Sequence, residues 1–199
     1  MGKKVFILFT DTGTWLTKII KLYTKHPFNH VSLAFDEYLH EVYSFGRKSQ
    51  RNPFIGGFVK EDVRTGIFRE SSCAIYSCYL TDGQFEKMQK IIANFDMHKQ
   101  EYKYNLLGLF AFIINKNIER DKAFFCSEFV ATILNECGVL ALEKPASLVT
   151  PQDIMKNGKL RKIFQGKLSL YAIPYDIGLK TKISGICHYP LRLLKKWTA

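Results

Sequence analysis

A single α+β domain is the fold class this sequence predicts, on three observations. At 199 residues the chain is long enough for one well-buried core and short for two. Its 47% hydrophobic and 24% charged residues are ordinary globular proportions, which exclude disordered, collagen-like and coiled-coil classes. Short apolar runs rich in β-branched and aromatic residues stand beside longer stretches whose apolar residues recur at helical spacing.

Lys4 to Thr10 is continuous, apolar and β-branched, and predicts a buried strand. Thr10-Asp11-Thr12-Gly13-Thr14 then supplies turn and cap chemistry for a helix over Trp15 to Thr24, which Pro27 ends. Val31 to Phe35 and Tyr38 to Phe45 alternate about Asp36-Glu37, and so predict a hairpin with a tight connection. Gly46 to Gly57, with Arg47, Lys48, Arg51, Asn52, Pro53 and a Gly56-Gly57 pair, reads as a loop, either a flap over a cleft or an ordinary surface connection.

Cys73 to Leu80 predicts a further strand, after which Asp82 caps a helix with Phe85, Met88, Ile91, Ile92 and Phe95 on one face. Tyr104 to Ile114 predicts a second, nearly all-apolar helix. A third starts near Cys126, carries a stripe of Phe129, Val130, Ile133, Leu134 and Cys137, and meets a C-terminal glycine at Gly138. Thr150-Pro151-Gln152-Asp153 has the cap-then-proline pattern of another helix start, and Leu168 to Ile173 predicts a last strand.

The formal charge of +11 is uneven: residues 156 to 199 carry ten Lys/Arg against one Asp/Glu, and so contribute +9 of it. A basic end of this kind suits an anionic membrane surface or equally a solvated face. Tyr and Phe interleaved with Lys and Arg raise nucleic-acid binding as a rival class, though an unlikely partner. The longest apolar run, Leu106 to Ile114, is too short to cross a bilayer. Val5 to Phe9 is too short for the apolar region of a secretion signal, and Gly2 is followed by Phe6 where a myristoylation signal wants Ser or Thr. Five cysteines, an odd number without a framework spacing, point to a reducing compartment, and a cytoplasmic location is expected.

No phosphate loop, Gly-x-Ser-x-Gly elbow, dinucleotide fingerprint or Cys-x-x-Cys pair is present, so neither a cofactor nor a metal is expected. What the chain does offer is Cys126 at a helix start, where the positive end of the helix dipole favours thiolate. His30 opens a strand and is the candidate base. Glu41, on the next strand of the hairpin, is the candidate orienting group; strand parity leaves His40 as the alternative. Backbone N–H groups in the first turn of the Cys126 helix are candidate oxyanion donors. The default role of a buried cysteine is that of a small core hydrophobe, and Cys73, Cys78 and Cys137 keep it. Cys187-His188 is a weaker pair, since sequence neighbours rarely face each other for proton transfer.

Asn29-His30-Val31-Ser32-Leu33, Leu39-His40-Glu41-Val42, Phe125-Cys126-Ser127-Glu128-Phe129-Val130-Ala131 and Thr150-Pro151-Gln152-Asp153-Ile154 together resemble the circularly permuted NlpC-type cysteine peptidases, in particular the YiiX-like group, more distantly related to lecithin retinol acyltransferase. The resemblance covers roughly the first 175 residues, leaving 176–199 as a basic C-terminal extension. It implies a circularly permuted papain-like fold in which an antiparallel β-sheet carries the histidine and a polar third residue and a helix presents the cysteine. It places the catalytic roles on His30, Glu41 and Cys126, and implies hydrolysis of an amide, or acyl transfer, through a thioester. The expected partner is an amide- or acyl-bearing substrate. A lipid-directed acyltransferase or lipase, and a non-enzymatic module for an anionic partner, are the rival readings.

Overall fold

A computed structural model describes residues 2–13, 21, 26–48, 56–105 and 121–171. Eight strands and three α-helices occur among these: β1 (Lys3–Asp11), β2 (His30–Ala34), β3 (Val42–Arg47), β4 (Gly56–Glu61), β5 (Ser72–Leu80), α1 (Asp82–Met97), β6 (Lys103–Tyr104), β7 (Ala123–Phe124), α2 (Cys126–Glu136), α3 (Pro151–Met155) and β8 (Arg161–Lys167). The fold is α+β. Six strands form one antiparallel sheet in the order β4-β3-β2-β1-β5-β8, and β6 and β7 make a short parallel pair. No helix among the described residues is long and apolar enough to cross a membrane.

The central strand β1 is buried on both faces, which is why its sequence is continuously apolar rather than alternating. Val5, Ile7 and Phe9 point into the larger core, shared with Met88, Ile92 and Phe95 of α1 and Phe129, Val130, Ile133 and Leu134 of α2. Phe6 and Leu8 point the other way, into a smaller cluster with Ala34, Val42, Val63, Ile75 and Leu168. Helix α2 lies on β2 and β3. Aromatic rings lock that contact: Phe45 of β3 sits 5.1 Å from both Phe129 and Phe124, and 5.8 Å from Phe95.

The helix boundaries follow local chemistry. Thr81, rather than Asp82, is the N-cap of α1: its hydroxyl accepts from Gln84 N while Gln84 Oε1 accepts from Thr81 N, a reciprocal box that Asp82, one residue inside, cannot make. Thr150 and Asp153 make the same box at α3, with Pro151 in the first turn. Gly138, at φ 65°, ends α2 as its position suggested, with Val139 N donating to Leu134 O.

Three expectations are corrected. The connection between β2 and β3 is longer than a tight turn, because the Asp36 carboxylate gathers the backbone N–H groups of His40 and Glu41 and Leu39 adopts φ 57°, leaving Glu41 outside the strand. The Gly46 and Gly56-Gly57 ends of the expected loop are paired strand residues, Gly46 opposite Gly57. Glycine is required there for close approach: a Cβ on Gly56 would stand 2.7 Å from Tyr104 Cβ, and one on Gly57 2.5 Å from Tyr102 O. Finally, the last strand is β8, with Leu168–Leu170 a 3₁₀ turn. β8 is a largely exposed edge rich in Arg and Lys, so it carries no apolar pattern to betray it. The helix expected over 15–24, all of the expected 104–114 helix beyond Asn105, the loop centre at 49–55, Cys187-His188 and the 176–199 extension fall outside the described residues, apart from Lys21. Tyr104 itself belongs to β6.

Candidate active site

His30 is the first residue of β2 and faces Thr10 across the ladder. β2 pairs with β3 at Leu33–Tyr43 and Ala34–Val42, at the far end of the strand from His30. On the other side of β3 runs β4. There Glu61, the last residue of β4, shares a face with Ser44 of β3, and its carboxylate reaches across to β2. The Glu61 Oε1 to His30 Nε2 distance is 2.7 Å. Ser32 Oγ donates to Glu61 Oε2 at 2.5 Å, and Ser44 Oγ donates to Oε1 at 2.5 Å.

The Glu61 side chain is 5% exposed and that of His30 12%, so this is a buried ion pair, which requires good geometry and satisfied oxygens to exist at all. Both conditions are met. For Glu61, burial opposes ionisation, but the charge and hydrogen bond of His30 and the two serine hydroxyls outweigh it and hold the carboxyl below its ordinary range. For His30, burial favours the neutral ring, but Glu61 and the Cys126 sulfur overcome it through charge and hydrogen bonding and push the imidazole up to about 10. His30 is therefore an imidazolium at neutral pH. With Nε2 engaged by Glu61, Nδ1 is the ring nitrogen left for the thiol, and Phe68 covers the ring at 5.9 Å between centroids.

Cys126 is the first residue of α2 and is 6% exposed. The helix start is set by two local bonds. Glu128, three residues past the N-cap position, turns back so that its carboxylate accepts from Phe125 N at 3.2 Å. Ser127 Oγ donates to Val149 O at 2.6 Å, tying the first turn to the segment that leads into α3. This fixes the first-turn N–H groups beside the sulfur, where the helix dipole is positive.

Burial alone pushes Cys78 up to about 11, while for Cys73 burial outweighs a backbone hydrogen bond and pushes it up to about 12; burial also raises Cys137. All three sit in the core as thiols.

The structure thus brings Cys126 and His30 together but does not bring Glu41 to them. Glu41 is bound by Lys60 and by the Tyr43 hydroxyl on the sheet surface. His40, the alternative, places Nδ1 3.1 Å from Asp36 in the β2–β3 connection. The carboxylate beside His30 is Glu61, which sequence reasoning missed because the preceding Gly56-Gly57 made its strand read as loop. One signal was available: Ser32 and Ser44 are small polar residues inside otherwise apolar strands, and buried hydroxyls need a partner. No protein-family model, curated protein or solved structure matches this chain.

Proposed function

We propose that this protein is a cysteine hydrolase of the amidase or peptidase type, with Cys126 as nucleophile, His30 as acid and base, and Glu61 in the orienting role expected of Glu41. The observation that carries the reading is the buried Glu61–His30 ion pair coupled to a cysteine at a helix N-terminus. A structural cysteine gains nothing from a permanently charged neighbour, whereas a nucleophile gains its thiolate. The chain order of histidine strand, carboxylate strand and cysteine helix against an antiparallel sheet is what a permuted papain-like fold would present.

The reaction balances as follows. The Cys126 thiolate attacks the carbonyl carbon of an amide, and the oxyanion forms beside the first-turn N–H groups of α2. His30 Nδ1–H gives its proton to the leaving nitrogen, the C–N bond breaks, and an amine departs from a thioester on Cys126. Neutral His30 then takes a proton from water as that water attacks the thioester. Collapse releases the carboxylic acid and restores the thiolate–imidazolium pair. Glu61 stays ionised throughout and holds the ring.

A panel of acyl and peptidyl coumarin amides tests this. Turnover of at least one member is expected, falling by about a thousandfold or more in kcat/KM in Cys126→Ala. Turnover that survives in Cys126→Ala would remove the reading.

A further inference from the structure

Three donors converge on the Glu61 carboxylate, His30, Ser32 and Ser44, and the two serines take no part in the reaction itself. Both serines are fully buried. Each stands two residues from an apolar member of the smaller core cluster, Ser32 from Ala34 and Ser44 from Val42, in strands that are otherwise apolar. Hydroxyls in such positions need a partner. Buried serines commonly spend their hydroxyls on backbone a few residues away, whereas these two reach a carboxylate 29 and 17 residues along the chain, from two different strands.

The bonds are sorted by oxygen. Glu61 Oε1 lies 2.7 Å from His30 Nε2 and also accepts from Ser44 Oγ at 2.5 Å, while Oε2 accepts from Ser32 Oγ at 2.5 Å. Ser32 Oγ stands 3.3 Å from His30 Nε2 as well. Having given its one proton to Glu61, that oxygen has only lone pairs to offer the ring, so it favours Nε2–H over a bare nitrogen.

One proton is at stake between His30 and Glu61. On Nε2 it makes an ion pair; carried along the 2.7 Å contact to Oε1 it makes a neutral carboxylic acid and a neutral ring whose remaining proton is on Nδ1. In a dry interior the neutral arrangement is the cheaper one unless hydrogen bonds hold the charges. The groups that act on Glu61 are His30 and Ser32 from β2 and Ser44 from β3, and those that act on His30 are Glu61 from β4 and Cys126 from α2.

We propose that Ser32 and Ser44 are positioning residues that keep this proton on His30, so that an imidazolium rather than a neutral ring stands beside the Cys126 sulfur. This rests on Cys126 being the nucleophile. Without the serines the carboxylate is buried with a single donor, the proton passes from Nε2 to Oε1, and the thiolate loses the charge that favours it.

Nitrogen-15 NMR of the imidazoles across pH 6 to 11 reads where the proton sits, with the His30 signals assigned by their loss in His30→Ala. Wild-type His30 is expected to stay charged through neutral pH, with a midpoint of about 10. Ser32→Ala and Ser44→Ala are each expected to lower that midpoint by about one pH unit or more, and the double variant by more than either. Serines that only filled space would leave it where it is. An unmoved midpoint in both single variants, or a wild-type ring already neutral at pH 7, would overturn the role of the serines. Iodoacetamide labelling of the same wild-type sample keeps the two failures apart. If Cys126 still outpaces Cys73, Cys78 and Cys137, the nucleophile stands without the serines; if it does not, the nucleophile falls and this inference with it. Each single variant keeps two of the three donors, and the wild-type titration decides even where the variants fail to fold.

Discussion

Glu61→Gln is expected to lower the stability of the fold by about 3–5 kcal/mol, because it leaves the His30 charge buried without its counter-ion. Glu41→Gln is expected to change it by no more than about 1 kcal/mol, since the Glu41–Lys60 pair is half exposed. The sequence pointed to Glu41 and left Glu61 unread; the physics of their surroundings separates them.

The effect should also depend on pH. His30 is raised on folding from an ordinary 6.5 to about 10, so its contribution is complete below about pH 6.5 and is lost as pH climbs through 10. Glu61 is lowered from 4.5, so its contribution is present above that value and is lost as pH falls through the depressed one. The gap between wild type and Glu61→Gln should be widest between about pH 4.5 and 6.5 and narrow on either side. Urea unfolding followed by circular dichroism at several pH values measures it. A gap under about 1 kcal/mol, or one flat with pH, would show that the pair is not charged as described.

Phe45→Ala is expected to cost about 3–5 kcal/mol. Phe45 is fully buried and touches rings from five other elements or their flanks: Phe58 of β4, Phe95 of α1, Tyr102 beside β6, Phe124 of β7 and Phe129 of α2. Removing it opens a cavity that none of these can close without dragging the others. The same cluster seats α2 on the sheet, so the loss is expected to loosen the helix that presents Cys126. A cost below about 1 kcal/mol would mean that the ring cluster relaxes freely.

Much of this was legible in the sequence where a residue's meaning was local. The start of α2 at Cys126, the glycine that ends it, the Thr150-Pro151 start of α3 and the buried strands β1 and β5 all announce themselves within a few residues. Cys126 and His30 were each visible for the same reason. Their carboxylate was not, because the pairing of His30 with Glu61 joins strands that are not neighbours in the sheet, across β3. A seven-residue connection organised by Asp36, in place of a tight turn, moved Glu41 off the ladder and carried the parity argument with it. The charged edge strand β8 was illegible for a different reason, having no apolar face to read.

The measurement that tests the central claim most directly is competitive labelling with a limiting dose of iodoacetamide, mapped by mass spectrometry on folded wild type and on His30→Ala across pH 5 to 9. The account predicts that Cys126 is alkylated ahead of Cys73, Cys78 and Cys137, and that this lead disappears in His30→Ala. Cys126 reacting no faster than the three core thiols in folded wild type, or keeping its lead without His30, would contradict it.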